Sequence, residues 1–241
     1  MTMKQLAFTY LPDRWLRAAR SIHYSSSIKH YNIDAEPDLR ACSGIVKQGD
    51  TVLDVGANIG VYTRFCSEFV GTSGHVISLE PVPETFSYLS HNVHALGLKN
   101  VQCLNFAASD YDNDCDAMSI PQYPQGGANL YEAELSSKGN IPVKTAKLDT
   151  LFPSLSPQFV KCDVEGHELA CVRGAIDIIH RCHPIWMVEV SRSETFQLFD
   201  SLEYAAFSYE GGTFLLYDST HSATNYFFFP KSDMSPVVNK M

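Results

Sequence analysis

The chain has 241 residues, 45% of them hydrophobic, with a formal net charge of -9 and a pI near 5.4. This size and composition suit one domain with a sizeable core. The acidic balance argues against a nucleic acid or an anionic membrane as the main partner, since no run of Lys or Arg offsets it. No apolar run is long enough to span a bilayer and no charged leader precedes one, so we expect a soluble, cytoplasmic protein.

The N-terminal segment and one internal stretch depart from a regular pattern. Residues 1–40 are amphipathic and then polar-aromatic, which predicts a helical appendage that covers a ligand cleft. We expect the main domain to span residues 41–241. Within it, residues 110–149 carry Pro, Gly and Asn beside period-two stretches, which predicts a β-hairpin insertion. The Gly126-Gly127 pair would form the tip of this insertion, a candidate lid.

From residue 51 onward, short apolar runs alternate with helical patterns, which is typical of a parallel sheet with helices on both faces. The predicted parallel strands are TVLDVG, HVISLEP, VQCLNFAAS, QFVKCDVEG and PIWMVEVS. The segments YEGGTFLLYD and NYFFFP predict an antiparallel hairpin at the C-terminal end. The fold class is therefore α/β, with a mostly parallel sheet.

Two helices of this pattern are predicted in enough detail to be checked. Apolar residues at helical spacing predict one continuous helix from Leu169 to Ile179. Ser191 and Glu194 have the S-x-x-E form of a capping box, which predicts the start of the next helix.

The first strand ends in a glycine turn, with Asp54, Gly56, Asn58 and Gly60 at alternate positions. A strand that passes through small residues into a helix predicts open backbone N–H groups at the N-terminus of that helix, where a polar ligand can approach closely. Asn58 stands where the G-x-G-x-x-G fingerprint of dinucleotide sites has its middle glycine, which weakens a pyrophosphate interpretation. Asp54 would repel a phosphate but suits the ammonium and sulfonium groups of S-adenosylmethionine.

The ends of the second and third strands predict an adenosine site. Glu80 follows the last glycine of the turn by 20 residues, where an acid binds both hydroxyls of a ribose. Asn105, Phe106 and Ala107 end the third strand, where an amide and an aromatic face would flank adenine. Dinucleotides and S-adenosylmethionine both contain adenosine, so these residues do not choose between them.

The motifs VLDVGANIGVYT, SLEP, KCDVEGHE and NYFFFP together resemble the FkbM family of S-adenosylmethionine-dependent methyltransferases over residues 45–231. The resemblance implies a class I, Rossmann-like fold with a seven-stranded sheet. It also implies methyl transfer, usually to a hydroxyl of a sugar or a secondary metabolite. His167 departs from the family pattern, and residues 1–40 match nothing in it.

The acidic motif VKCDVEGHE predicts the reaction centre. Asp163 interrupts a buried apolar run at the carboxyl end of a strand, where a carboxylate is costly unless it is bonded or functional. We expect this motif to face the methyl group of the cofactor, so Asp163 counts as both cofactor-binding and catalytic. Asp163 or Glu165 is the candidate base that accepts the proton of the acceptor hydroxyl. His167 is a further candidate base, whereas Glu168 fits a structural role at a helix N-terminus.

Glu189 ends the fifth strand and is the third candidate catalytic residue. It would lie beside Asp163, where two carboxylates could bind a divalent cation that lowers the pKa of the hydroxyl. Alternatively, Lys161 or Arg192 pairs with Glu189 in a structural bridge. We favour a site without metal, and the sequence leaves this open.

An S-adenosylmethionine-dependent O-methyltransferase is therefore the leading hypothesis, with a small-molecule or glycan hydroxyl as acceptor. The alternatives are an NAD(P)-dependent oxidoreductase and a non-catalytic nucleoside-binding module. The sequence does not identify the acceptor, the residue that acts as base, or whether the protein forms a homodimer.

Overall fold

The computed structural model describes residues 13–120, 133–136, 138–219 and 223–234. The strands are β1 (Thr51–Val55), β2 (His75–Leu79), β3 (Val101–Leu104), β4 (Ala107–Ala108), β5 (Asn113–Ser119), β6 (Glu134–Leu135), β7 (Ile141–Ala146), β8 (Phe159–Cys162), β9 (Ile185–Glu189), β10 (Tyr204–Glu210), β11 (Thr213–Leu216) and β12 (Asn225–Pro230). The α-helices are α1 (Asp13–Lys29), α2 (Pro37–Ile45), α3 (Val61–Val70), α4 (Pro83–Ala95), α5 (Leu148–Leu151), α6 (Glu168–Arg173), α7 (Ile176–Cys182) and α8 (Ser193–Ser201).

The central sheet has the strand order β11-β10-β12-β9-β8-β1-β2-β3. Strands β3, β2, β1, β8 and β9 are parallel to one another, and β12 runs antiparallel between β9 and β10. The order reverses between β1 and β8, so a crevice forms at the carboxyl ends of these two strands. This arrangement confirms the predicted class I, mostly parallel α/β fold.

Among the residues that the structure describes, the central sheet has eight strands, not the predicted seven. Gly211 and Gly212 both have positive φ, 58° and 89°, which lets the chain reverse in two residues. Strand β11 therefore pairs back onto β10 as an extra edge strand, from Phe207 opposite Leu216 to Glu210 opposite Thr213.

Alternate residues of the parallel strands fill two separate cores, one on each face of the sheet. Leu53, Val160 and Trp186 belong to the core on one face, which α7 and α8 cover. Their neighbours in sequence, including Val52 and Phe159, belong to the other core, which α2 and α3 cover. The helices thus lie on both faces, and the site is built where the two layers meet at the strand ends.

Three local predictions are wrong. The segment VQCLNFAAS is not one strand, because Asn105 and Phe106 separate β3 from β4, and β4 joins a second sheet in the order β4-β7-β5-β6. The helix predicted from Leu169 to Ile179 is broken at Gly174, where a Cβ would lie 1.9 Å from the carbonyl oxygen of Ser109. The predicted capping box does not form either, since α8 begins after Arg192 without a side-chain cap.

The N-terminal helix α1 lies against α4. Arg20 Nη1 contacts Glu84 Oε1 at 3.2 Å, and the Ser25 hydroxyl donates to Asn92 Oδ1 at 2.6 Å. In the 110–149 stretch, β5 pairs antiparallel with β7. The Gly126-Gly127 tip lies outside the described residues, and the division of the chain at residue 40 stays a prediction. Within the described ranges, no helix has the length and apolar character needed to cross a bilayer.

Candidate active site at the sheet switch point

A cavity of about 470 Å³ opens at the carboxyl ends of β1, β2, β8 and β9, a size suited to a small molecule. The strand ends supply its floor. Met118 and Leu135 of the second sheet line the cavity together with Ala133, and so do Ser27 and Tyr31 from the N-terminal segment. The crevice at the switch point is therefore lined by the strand ends, by the second sheet and by part of the N-terminal segment.

The amides of residues 56–60 in the glycine turn all donate within the protein. The amides of Gly56 and Ala57 both donate to the Leu79 carbonyl, at 3.0 and 2.9 Å. The Asn58 amide donates to Glu80 Oε2 at 3.0 Å. The amides of residues 59 and 60 donate to the Asn58 side chain and to the Ala57 carbonyl. A diphosphate needs several free donors, and residues 56–60 have already bonded theirs.

The backbone conformation and the close packing of the turn explain why Gly56, Gly60 and Asn58 occupy their positions. Gly56 has φ +74°, and a Cβ there would lie 1.7 Å from the carbonyl oxygen of Asp163. Gly60 has φ +98°, and its Cβ would lie 2.8 Å from Leu89 Cδ1. Asn58 has φ 50°, which asparagine tolerates better than most residues because its side chain bonds the local backbone. The turn therefore brings β1 and β8 into contact at the cavity floor.

Glu80 is 6% exposed and lines the cavity at the end of β2. Its Oε1 accepts from the Val82 amide at 2.9 Å, and Oε2 accepts from the Asn58 amide. Burial raises the pKa of the Glu80 carboxyl to about 7, although these two amides act to lower it. Each oxygen keeps a second lone pair for a ligand hydroxyl.

Lys161 is the buried cation of the site, with 3% of its side chain exposed. Its Nζ lies 3.1 Å from Asp163 Oδ2 and 3.6 Å from Asp54 Oδ1, and it donates to the Gly56 carbonyl at 2.9 Å. Burial acts to lower the pKa of Lys161, but the charges of Asp163 and then Asp54 outweigh it and the pKa is raised. The predicted bridge from Lys161 to Glu189 is therefore wrong: Lys161 pairs with the two aspartates.

Asp163, Glu165 and Glu189 come together at the ends of β8 and β9, and we call them the carboxyl trio. One carboxylate oxygen from each lies within 4.8 Å of the others, a spacing that could hold a metal ion. Burial, with the hydrogen bond to Asp163 and its charge, raises the pKa of Glu189 to about 8. Burial acts to raise the pKa of Asp163, but the charge of Lys161 outweighs burial and the pKa is lowered. At neutral pH, Glu189 therefore holds a proton and Asp163 is ionised.

His167 and Glu168, the last two residues of the acidic motif, have different surroundings. Nε2 of His167 lies 3.0 Å from the Ser109 hydroxyl, and burial lowers the pKa of His167, so the ring is neutral. Glu168 is buried and accepts hydrogen bonds from the Gly166 amide and the Ser191 hydroxyl, at 2.7 and 2.6 Å. Ser191 therefore fixes Glu168 rather than capping α8, and Glu168 has a structural role.

Most of the predicted site residues line the cavity. These are Gly56, Asn58, Glu80, Phe106, Ala107, Asp163, Glu165 and Glu189.

Three predicted cofactor-binding residues are not among the residues that line the cavity. Asp54 is fully buried, accepts from the Thr63 hydroxyl at 2.6 Å and reaches the cavity through Lys161. Gly60 is buried against α4. The side-chain Nδ2 of Asn105 donates to the carbonyls of Glu80 and Pro81, both at 2.8 Å. The Asn105 side chain therefore fixes the loop after β2 rather than contacting an adenine.

Sequence reasoning missed a further polar group that lines the cavity, formed by Glu36, Tyr31 and Tyr62. The Glu36 carboxylate accepts from the Tyr31 hydroxyl at 3.2 Å and from the Tyr62 hydroxyl at 3.4 Å. The Tyr62 ring lies over Lys161, with Nζ 5.1 Å from the ring centroid. Tyr62 follows the last glycine of the turn by two residues, which is a usable signal, whereas Glu36 and Tyr31 carry no motif.

The strand order and the crevice define a Rossmann-like protein of the class I methyltransferase type. The methyltransferase FkbM domain family matches residues 54–214, more than half of the chain, and the chain belongs to this family. The resemblance seen in the sequence is thereby confirmed.

The individual proteins to which the chain is similar are also methyltransferases. The hexuronic acid methyltransferase AglP of Haloferax volcanii is 33% identical over 132 residues, which cover 53% of this chain and 51% of AglP. The protein-L-isoaspartate O-methyltransferase 1 of Archaeoglobus fulgidus is 36% identical over 105 residues, 41% of this chain and 48% of that protein. The chain thus spans about half the length of these relatives. The crystal structure of methyltransferase FkbM from Methylobacillus flagellatus KT shares the fold, with a TM-score of 0.53 and 15% identity over 86% of this chain and 54% of that one.

Proposed function

We propose that the protein transfers the methyl group of S-adenosylmethionine to a hydroxyl oxygen of a sugar or a secondary metabolite. The observation that carries the proposal is the glycine turn, whose residues 56–60 all donate their amides within the protein while Glu80 lines the cavity. This arrangement suits a nucleoside with a cationic group and disfavours the diphosphate of NAD(P). Membership of the FkbM family supports the same choice.

The residues present fit this cofactor. Glu80 has lone pairs left for the two ribose hydroxyls, and Phe106 and Ala107 line the cavity where the adenine would lie. Gly56 lets the Asp163 backbone approach and close the floor, because a Cβ there would meet the Asp163 carbonyl oxygen. When bound, the sulfonium supplies an electrophilic methyl carbon. The chain then has to hold the acceptor oxygen in line with that carbon and receive its proton.

The carboxyl trio is the group that we assign to proton transfer. A hydroxyl is a weak acid, so its proton leaves as the new C–O bond forms and passes to a carboxylate. Asp163, Glu165 and Glu189 are the candidates, and deprotonated Glu189 is the strongest base of the hydrogen-bonded pair because its pKa is the higher one. Lys161 keeps Asp163 charged and fixed in place. A divalent cation on the trio is the alternative that we disfavour.

The acceptor class rests on the relatives. AglP is named for the methylation of a hexuronic acid, which supports a sugar hydroxyl as the acceptor here. The isoaspartate methyltransferases are named as O-methyltransferases, which supports oxygen as the atom methylated.

A methyl-transfer assay tests the proposal. Protein, S-adenosylmethionine carrying a labelled methyl group and a panel of hydroxylated sugars and metabolites are incubated with and without a chelator. We expect label in a sugar fraction, with the same rate in both arms. Loss of activity with chelator would show that a metal ion assists the reaction, in place of simple proton transfer to the trio. Binding of NAD in place of S-adenosylmethionine would overturn the proposal.

A further inference from the structure

Glu36 is an acid of the cavity lining that the proposed chemistry does not use. Its two oxygens each accept one tyrosine hydroxyl, from Tyr31 and from Tyr62, and each keeps a further lone pair. Glu36 directly precedes α2, but its side chain makes no capping hydrogen bond there. Among the ion pairs of the described residues, none involves Glu36. The cavity therefore contains a carboxylate that can still accept from a ligand and that a cationic group would neutralise.

Asp54, the acid that the sequence predicts for the ammonium group of the donor, is not placed to bind it. Asp54 is fully buried, is not among the residues that line the cavity, and lies 3.6 Å from the ammonium nitrogen of Lys161. The contact with the donor ammonium therefore has to come from another acid. Of the described acids that line the cavity, Glu80 has the ribose as its proposed partner and the carboxyl trio has the acceptor proton. Glu36 is the lining acid that has no role yet.

The glycine turn connects Glu80 with Glu36. The Asn58 amide donates to Glu80, and the Tyr62 hydroxyl, just after the turn, donates to Glu36. A donor whose ribose lies at Glu80 can therefore extend its amino-acid chain along the turn to Glu36. Val61 and Tyr62 form the start of α3 and line the cavity, and the first turn of a helix contains no acceptor for its own amides. Two such amides suit one carboxylate, so both charges of an amino acid find partners at this end.

The N-terminal segment that carries Glu36 is bonded to the same turn. The buried Asn92 side chain donates to the Ile59 carbonyl at 2.8 Å and accepts from the Ser25 hydroxyl at 2.6 Å. Arg64 Nη1 donates to the Ile28 carbonyl at 2.9 Å. These bonds hold the segment against the turn, so the acid that follows it has a fixed position at the cavity.

Resting on the proposed function, we propose that Glu36 binds the α-ammonium group of S-adenosylmethionine, beside the rings of Tyr31 and Tyr62. A carboxylate makes a charge-assisted hydrogen bond to an ammonium group, and neighbouring aromatic rings add cation–π attraction. Glu36 and Tyr31 lie outside residues 54–214, which match the FkbM domain family. The N-terminal segment thus completes the donor site with a contact that the family motifs do not contain.

Two nucleosides that differ in the amino-acid end test the assignment. S-adenosylhomocysteine, the demethylated donor, keeps the α-ammonium group, whereas 5′-methylthioadenosine keeps the adenosine and the sulfur but lacks the amino acid. Both are titrated calorimetrically into the unmodified protein and into Glu36→Gln. We expect Glu36→Gln to weaken S-adenosylhomocysteine binding at least about tenfold, the value of a hydrogen bond between charged groups, and to leave 5′-methylthioadenosine binding within about twofold. Unchanged binding of the second ligand also shows that the variant folds.

Two further variants separate this contact from other effects. Asp34→Asn is the matched control, because Asp34 lies two residues away, is exposed and contacts Arg40 at 3.4 Å, and it should bind both ligands normally. Glu80→Gln should weaken both ligands, since both contain the ribose. Unchanged S-adenosylhomocysteine binding in Glu36→Gln, or an equal loss of both ligands, would overturn the inference while leaving the proposed function intact. If the unmodified protein binds neither ligand, the proposed function fails, and this inference fails with it.

Discussion

The ammonium nitrogen of Lys161 lies 3.1 Å from Oδ2 of Asp163, and the Lys161 side chain is 3% exposed. This contact makes the hydrogen-bonded carboxyls unequal. It lowers the pKa of Asp163, and the ionised Asp163 in turn helps to raise that of Glu189. The site thus holds a fixed anion, Asp163, and a second carboxyl, Glu189, whose pKa is about 8.

Replacing Lys161 with methionine should destabilise the fold. The substitution keeps most of the side-chain volume but leaves the fully buried Asp54 and the half-buried Asp163 without their cation. Removing one partner of a buried pair costs roughly 3–5 kcal/mol. The free energy of unfolding from urea titration measures this. Lys231→Met is the control, because Lys231 bridges Asp200 at the surface, and we expect no measurable change. Equal stability of the two variants would contradict the account of Lys161.

Alanine at Gly56 should be far more harmful than alanine at another glycine with positive φ. Gly56 and Gly97 have φ of +74° and +68°, but a Cβ at Gly97 meets nothing within 4 Å. We expect Gly97→Ala to cost about 1 kcal/mol of backbone strain. Gly56→Ala adds the clash with Asp163 and should cost more than about 3 kcal/mol and abolish donor binding. Urea unfolding and calorimetry measure the two effects, and similar losses at both positions would contradict the close packing of β1 on β8.

The pH profile of methyl transfer should report Glu189. A base must be deprotonated, so kcat/KM for the acceptor should rise with pH up to about 8 and then level off. Glu189→Gln should remove this rise and lower the rate by roughly 10²–10⁴. A flat wild-type profile from pH 6 to 9, or a rise that survives in Glu189→Gln, would assign the base to another residue.

The fold could be predicted from the sequence because its signals are local. The alternation of apolar runs and helical patterns is enough for a parallel α/β sheet, and the glycine turn marks the switch point. The eighth strand was missed because the hairpin signal of Gly211-Gly212 was counted inside one strand, although two adjacent glycines commonly form a two-residue turn. The broken helix at Gly174 depends on the approach of Ser109, a contact that helical spacing does not contain.

The site was harder to predict because its contacts cross the fold. The Leu79 carbonyl and Glu80 accept the turn amides from the neighbouring strand, and the turn motif does not contain these acceptors. Asp54 looked like a ligand-binding acid because its partner, Lys161, is more than 100 residues away in the chain. Glu36 belongs to a segment without a motif, so its position at the cavity is known only from the structure.

Calorimetric titration with S-adenosylmethionine tests the central claim most directly. We predict one site per chain, with affinity reduced roughly 10- to 100-fold in Glu80→Gln, because hydrogen bonds to a charged group are worth about 1.5–3 kcal/mol. Glu84→Gln, four residues further on at the contact with Arg20, should bind like the unmodified protein. Absence of binding, tighter binding of NAD, or equal affinity in Glu80→Gln and Glu84→Gln would contradict the claim.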